Sequence, residues 1–374
     1  MKRKTIVSRP DYRESIEALG FDYHIDYWKE NAYYCLSEAE VETLETATAE
    51  AYRLYCEAAD YLIEQQPEKL ERMLNLTPEI VEQIRDSWEA DELSLYGRFD
   101  FMLDRQGVPR ILEFNADTPT SLLEASVIQW QWKETCFPDA DQYNGIHEGL
   151  VQSWEDLFEE GSILHLAGAL DNAEDVGNLQ YLASTAREAG LSTRVVDINA
   201  LNLQEGTFYD PSGEKVERCF KLYPWEWMVD ESPDGCMADV QWVEPIWKLV
   251  MSNKAILTTL YELFPDSPYV LPAFLSRPQQ GLFCKKPVYA REGHNVSVLD
   301  IRNWEEQVRV PETAGDYNKG AYIYQQYVEP TAYDGYYPII GSWIIGGEPG
   351  GIGIRENRTE ITDNLSAFVP HIIV

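Results

Sequence analysis

The clearest hydrophobic pattern is helical. From Leu36 to about Gln65 the run LSEAEVETLETATAEAYRLYCEAADYLIEQ places Val41, Leu44, Tyr52, Tyr55, Ala58 and Leu62 near one face, which predicts a long amphipathic helix. Ser37 and Glu40 at its start fit a capping box. Further on, LSLYGRFDFML, DRQG and VPRILEFN read as two apolar-rich strands around a polar turn containing Gly107. If the hairpin closes with Leu103 opposite Val108, Asp100 faces Ile111 and Arg98 faces Glu113. Period-two alternation then puts Arg98, Asp100, Glu113 and Asn115 on one face, and a one-residue slip would part them.

Beyond the hairpin, SILHLAGAL, DVGNLQYLASTAREAG and LSTRVVDI form a βαβ pattern whose first turn faces a helix N-terminus. A Trp-rich connection, Tyr223 to Trp247, leads to IWKLVMSNKAILTTLYELF, which reads as one helix. GLFCKKPVYAREGHNVSVL and AYIYQQYV read as strands flanking a loop, and in GSWIIGGEPGGIGIREN clustered glycines break a β-rich pattern before Arg355. No internal repeat or low-complexity linker interrupts the chain, so the fold class expected is α/β with α+β lobes.

Composition narrows the function. The 374 residues, 44% hydrophobic with 11 Trp and 23 Tyr, suffice for a large core. With 30 basic against 64 acidic residues the net charge of -34 repels phosphate backbones and anionic lipid, so neither nucleic acid nor membrane is an expected partner. A solvated surface accounts for that charge, with attraction of a polyamine as the minor reading. Cys35, Cys56, Cys136, Cys219, Cys236 and Cys284 form no CxxC pair, which excludes a zinc cluster or dithiol centre and suits a reducing compartment. The basic start MKRKTIVSRPDYR lacks a following apolar region, and no run approaches the ~20 apolar residues of a membrane span, so cytoplasm is expected.

Chemistry concentrates on the hairpin. Two carboxylates and an amide oxygen are the hard donors that Mg²⁺ prefers, although a polar hairpin face can equally be a solvated one. YGRFDFML followed by ILEFNADTPTS resembles the signature of the glutathionylspermidine synthase ligase domain, of the ATP-grasp group, and the likeness continues through VEPIWKLVMSNKAIL, KKPVYAREGHNV and GGIGIRENRTEITDNLSAFVPH. It covers residues 10–374 as one ligase unit, with a metal-binding hairpin at about 92–120, an α/β lobe at about 160–205 and an ATP-binding lobe at about 245–374.

The resemblance implies more. Residues matching Asp100, Glu113 and Asn115 hold magnesium, two ions in all, and the one matching Arg98 meets the transferring phosphoryl group. Lys254 and Lys286 match ATP-phosphate ligands, Arg355 a charge-stabilising arginine, and Gly293 the loop that covers the phosphates. Gln325, Gln326, Tyr327 and Val328 resemble an adenine-binding hinge, although a plain buried strand explains them as well. Thr118, Thr120 and Glu174 match contacts to a glutathione-like peptide, with Asp175 beside them for a cationic amine; a turn around Pro119 and a helix cap are the plainer readings. The metal residues precede the ATP lysines, a permuted order shared with eukaryotic glutathione synthetases. No amidase domain like that of bifunctional relatives is expected beside the ligase, and hydrolysis of the product is not expected.

By resemblance, the chain is expected to be an ATP- and Mg²⁺-dependent acid–amine ligase that forms an amide through an acyl phosphate and releases ADP and phosphate. Its partners would be a small-molecule or peptide carboxylate and an amine. The competing expectations are a non-catalytic ATP- or peptide-binding regulatory protein on the same frame, and a hydrolase using Cys136 or Cys284. For the hydrolase, His24, His147, His165, His294 and His371 offer no local signature.

Overall fold

The computed structural model describes residues 1–23, 25–291, 293–317, 320–361 and 366–374. A five-stranded antiparallel sheet lies at its centre, in the order Ala367–Val369, Glu348–Asn357, Tyr337–Ile345, Tyr96–Leu103, Pro109–Asn115. Strands from the first third of the chain are thus flanked by strands from its end. A second antiparallel sheet runs Ala273–Phe274, Tyr322–Gln326, Gly281–Pro287, Ser297–Arg302, Glu305–Val310. Near the termini, Ala32–Leu36 pairs with both Lys2–Thr5 and His371–Ile373. No helix among the described residues is long and apolar enough to cross a membrane.

The expected long helix spans Glu38–Asp60 and runs on through a wider π turn, Tyr61–Gln65. Its capping box is present: Ser37 Oγ accepts from Glu40 N, and the Glu40 carboxylate accepts from Ser37 N at 2.9 Å. Leu44, Tyr55, Ala58 and Leu62 are buried as expected, while Val41 and Tyr52 are only half-buried. This helix covers one face of the central sheet. There Tyr55 meets Phe99 and Phe114 edge-on, and those two rings stack at 4.0 Å. Each buried ring contributes on the order of 2 kcal/mol by leaving water. Alternation along Tyr96–Leu103 gives this core face to Phe99 and Phe101 and turns Arg98, Asp100 and Met102 the other way.

The hairpin pairs differently from the expected register. Leu103 lies opposite Pro109 and Phe101 opposite Ile111, yet Asp100 faces Glu113 and Arg98 faces Asn115. Leu112 is the extra residue of a β-bulge. Continued without it, the register at the turn would set Asp100 against Leu112 and send Glu113 to the core face. The four polar residues share a face because of this bulge, with partners other than those the loop length suggested.

The βαβ pattern holds. Ile163–Gly168 and Ser192–Asp197 are parallel neighbours joined by the helix Ala173–Glu188, and Asn172 caps that helix by accepting from Glu174 N and Asp175 N. The parallel sheet gains Arg218–Leu222 and Gln241–Val243, so the Trp-rich connection carries an edge strand after two short helices, Trp225–Glu231 and Pro233–Cys236.

One further expectation is corrected and another refined. The helix predicted over 246–264 is two, Lys248–Met251 and Ile256–Leu263. Asn253 divides them: its Nδ2 donates to Leu249 O and Val250 O, both at 2.9 Å, while its Oδ1 accepts from Ala255 N at 3.0 Å. One amide thus closes the first helix and opens the second. The C-terminal glycines interrupt the β pattern at a turn and at a register shift beside Gly350, but the strand Glu348–Asn357 then carries it on through Arg355. Gly346 and Gly347, at φ 56° and 90°, form the turn of the hairpin between Tyr337–Ile345 and Glu348–Asn357. Within it, a Cβ on Gly341 would come 2.8 Å from Arg98 Cδ.

Candidate active site

Five separated stretches of chain converge on one cleft between the central and second sheets. Arg98, Asp100, Glu113 and Asn115 line it from the bulged hairpin, and Thr118 and Thr120 from the loop after it. Lys254 enters from the break between the two short helices, Lys286 from Gly281–Pro287, Gly293 from the following loop, Gln325 to Val328 from the next strand and its exit, and Arg355 from Glu348–Asn357. The structure therefore brings together every residue expected to meet metal or nucleotide. Glu174 and Asp175 are not in the cleft lining; they occupy the first turn of the Ala173–Glu188 helix, whose cap is Asn172.

Charge pairing organises the floor. Arg98 Nε lies 2.7 Å from Asp100 Oδ1, Arg355 Nη2 is 2.8 Å from Asp100 Oδ2, and Arg98 Nη1 also donates to Thr120 O. Lys254 Nζ pairs with Glu113 Oε2 at 2.8 Å and donates to Ala290 O at 2.6 Å. Burial alone would raise Glu113, but Lys254, Lys286 and Arg98 overcome it and hold the carboxyl down to about 2. Burial also pulls the Lys286 ammonium down from its ordinary value, while burial of Arg355 is outweighed by Asp100, which raises it.

Lys286 is fixed by the bulge. Its Nζ donates to Leu112 O at 3.2 Å and to Gln325 Oε1 at 2.7 Å, and Gln325 Nε2 donates to Ile111 O at 2.8 Å. Gln325 therefore acts as a strut between the sheets, with its amide committed to protein partners, whereas Gln326 is exposed and the Tyr327 hydroxyl donates to Glu360 at 2.6 Å. In the loop, Gly293 has φ 68° and its carbonyl accepts from Thr313 Oγ1 at 2.5 Å. Glu292 of that loop, residues 362–365 of the last matching block and His24 lie outside the described residues.

The donor set suits a hard cation. Asp100 and Glu113 offer carboxylate oxygens, and Asn115, whose Nδ2 donates to Arg98 O at 3.4 Å, keeps its Oδ1 for a ligand. Two carboxylates and an amide leave positions for phosphate and water oxygens, as Mg²⁺ requires. No cluster of three or more His, Cys, Asp or Glu side chains able to hold a metal occurs among the described residues, so a softer, all-protein cage is not indicated. Burial raises the thiols of Cys136 and Cys284 above their ordinary value, the opposite of what a thiolate nucleophile needs.

Several supports escaped the sequence reading. Lys221, fully buried, pairs with Asp117 at 2.8 Å and ties the parallel sheet to the loop after the hairpin. Arg291 of the Gly293 loop reaches Glu226 at 2.7 Å, and both line the cleft. The Ser252–Asn253 pair inside a helical pattern was the one readable signal, since such side chains compete for backbone hydrogen bonds.

Known proteins resemble this chain over most or all of its length. A Haemophilus influenzae protein named as a candidate acid–amine ligase is 36% identical over 396 residues, covering 100% of both chains. Trypanothione synthetase of Crithidia fasciculata is 28% identical over 94% of this chain and 58% of its own length; the bifunctional glutathionylspermidine synthetase/amidase of Escherichia coli is 25% identical over 91% and 59%. The fold is similar to that of a glutathione synthetase-like effector from Globodera pallida, solved in its apo form, with a TM-score of 0.57 at 12% identity over 99% of this chain and 100% of that one. Because the glutathionylspermidine synthase preATP-grasp model matches residues 3–374, nearly end to end, this chain belongs to the glutathionylspermidine synthase family of ligases.

Proposed function

We propose that this protein is an ATP- and Mg²⁺-dependent acid–amine ligase that couples a carboxylate to an amine and releases ADP and phosphate. One observation carries the reading: Asp100, Glu113 and Asn115 share a cleft with four cations, Arg98, Lys254, Lys286 and Arg355, supplied by separate elements. Such a site matches a polyphosphate accompanied by a hard cation. The order of the groups along the chain, carboxylates before lysines, supports a permuted ATP-grasp arrangement. On this reading residues 10–374 form the ligase unit, about 92–120 the metal-binding hairpin, about 160–205 an α/β lobe and about 245–374 the ATP-binding lobe.

Asp100, Glu113 and Asn115 would hold Mg²⁺, two ions in all, whose chemistry is to neutralise and orient phosphate oxygens. When Mg·ATP enters, Arg98, Arg355 and Lys254 exchange their carboxylate partners for phosphate, while Lys286 points its ammonium at the same charge from its Gln325 strut. Arg98 and Arg355 stabilise the charge on the transferring phosphoryl group as the substrate carboxylate attacks it. The Gly293 loop covers the phosphates and limits water attack on the acyl phosphate. Tyr327 and Val328 take the adenine side with Gln326, and Gln325 acts behind them. Thr118, Thr120 and Glu174 would meet a peptide-like carboxylate substrate, and Asp175 an amine; glutathione and spermidine, named in the family, are the first pair to try.

The test is ADP release with ATP and Mg²⁺ across a panel of carboxylates and amines. Release only when both are present establishes the ligase. Glu113→Gln and Lys286→Met should each lower it at least ~100-fold, the scale of losing one charge-stabilising group. Wild-type rates in either folded variant sink the assignment, and tight Mg·ATP binding with no turnover across the panel leaves the non-catalytic binding protein.

A further inference from the structure

Glu124 stands apart from the residues that line the cleft. It opens a π turn, Glu124–Ile128, four residues after Thr120, and is 3% exposed. Its Oε2 is buried with no hydrogen-bond partner among the described residues. The turn lies against the strand that carries Arg355: Gln129 Nε2 donates to Ile352 O at 2.8 Å, and a Cβ on Gly353 would come 3.3 Å from the Ala125 Cβ. Groups from every neighbouring element act on this carboxyl. Arg98 and Arg355 pull from the cleft side, Glu174 pushes from the Ala173–Glu188 helix, and Tyr23 and Tyr27 face it from the N-terminal segment. Burial dominates and lifts it to about 8.

A carboxyl in that position has a chemical use. Arg98 and Arg355, the arginines that would hold the transferring phosphoryl group, act on it, and so does Glu174 from the helix whose first turn also carries Asp175, the acid expected to meet a cationic amine. An ammonium group cannot attack a carbonyl until it loses a proton. We propose that Glu124 is the proton acceptor for the amine substrate. This rests on the ligase reading and adds a step to it.

Before the amine docks, Glu124 is protonated; docking of R–NH₃⁺ beside it favours the charged form, so its proton leaves to solvent, and the resulting carboxylate then takes one proton from R–NH₃⁺, giving R–NH₂ and a neutral carboxyl. The freed lone pair forms the C–N bond at the acyl carbon of the acyl phosphate. The bond from the acyl carbon to the bridging oxygen breaks, the leaving phosphate keeps that oxygen and the electron pair, and it takes the second nitrogen proton to depart as HPO₄²⁻. Nothing is oxidised or reduced. The buried site has room for this charge pattern because the incoming ammonium neutralises the carboxylate as it arrives, in place of water.

Hydroxylamine separates this step from activation, because it is uncharged at neutral pH and captures an acyl phosphate as a hydroxamate without needing a base. With the carboxylate that supports ADP release, glutathione first, Glu124→Gln should make hydroxamate within about twofold of wild type and form amide with spermidine at least ~100-fold more slowly, the range of a lost general base. Raising the pH, which deprotonates the amine in solution, should restore part of that loss. Retained hydroxamate formation also shows that the variant is folded. Equal loss of both products overturns the proposal and makes Glu124 a support for Arg98 and Arg355; equal retention of both overturns it as well. A wild-type protein that makes neither hydroxamate nor amide with any carboxylate in the panel rejects the ligase reading, and the proposal with it.

Discussion

A half-buried carboxyl and a buried one are driven in opposite directions by their surroundings in this protein. Glu113 has three cations within reach and is held at about 2 against its burial, whereas Glu124 has two arginines partly offset by Glu174 and is lifted to about 8. Environments that push two titratable groups apart in this way mark distinct roles. They also leave opposite marks on stability. An unfolded glutamate titrates near 4.5, so between that value and about 8 the folded chain holds a proton at Glu124 that the unfolded chain has released. Its contribution is therefore full below 4.5 and is lost as pH rises to about 8, a change on the order of 5 kcal/mol at 1.36 kcal/mol per pH step. Glu113, with its folded value depressed, contributes stability above 4.5 that is lost as pH falls toward about 2. Melting curves of wild type and Glu124→Gln should thus coincide near pH 5 and diverge near pH 8.5, the variant melting higher there; parallel curves throughout show that the carboxyl is not buried as described.

At the scale of elements, the features that build the site are those that interrupt regular structure. The bulge at Leu112 turns Glu113 to the cleft and presents the Leu112 carbonyl to Lys286, 174 residues away. The helix break at Asn253 sends Lys254 into the same cleft, with its backbone N–H donating to Val288 O at 3.0 Å. Replacing Asn253 with Ala leaves two carbonyls of one helix and the first N–H of the next without this partner, at a cost of about 1–2 kcal/mol. Because Lys254 follows directly, Asn253→Ala should also raise the KM for ATP several-fold while the KM of the amine stays put. An ATP titration beside a denaturant midpoint checks both; an unchanged ATP KM would show that Lys254 is placed by its own contacts alone. These interruptions explain how far the sequence could be read. The Ser37–Glu40 cap, the long helix and the βαβ unit depend on neighbours within a few residues, and they were legible. The grouping of Arg98, Asp100, Glu113 and Asn115 on one face came out as expected, but by two departures that cancel: the turn shifts the register by one residue and the bulge at Leu112 shifts it back to the expected parity. Their partners were not legible, since nothing local distinguishes Leu112 from an ordinary strand residue, and the contact of Arg355 with Asp100 spans 255 residues. Glu124 was missed because its character comes from burial under segments far from it in sequence.

Over the whole molecule, a net charge of -34 surrounds a cleft whose floor carries four cations. The sheet joining Lys2–Thr5, Ala32–Leu36 and His371–Ile373 holds the ends of the chain together, and Arg3, paired with Glu356 at 2.6 Å, fastens that sheet beside Arg355. The cleft thus gathers cations paired with carboxylates inside a negative field, and the two kinds of substrate meet that field with opposite sign. A polyamine is drawn toward the protein at long range, while ATP and a carboxylate are repelled until they reach the cations. Salt shortens the range of both effects, from about 10 Å at 0.1 M to about 3 Å at 1 M. Raising ionic strength from about 0.02 to about 0.5 M should therefore raise the KM of spermidine several-fold and leave that of uncharged hydroxylamine nearly unchanged, with the ATP KM flat or lower. If spermidine and hydroxylamine respond alike, the surface charge serves solubility alone, and recognition of the amine resides entirely in the short-range contacts of Glu124 and Asp175.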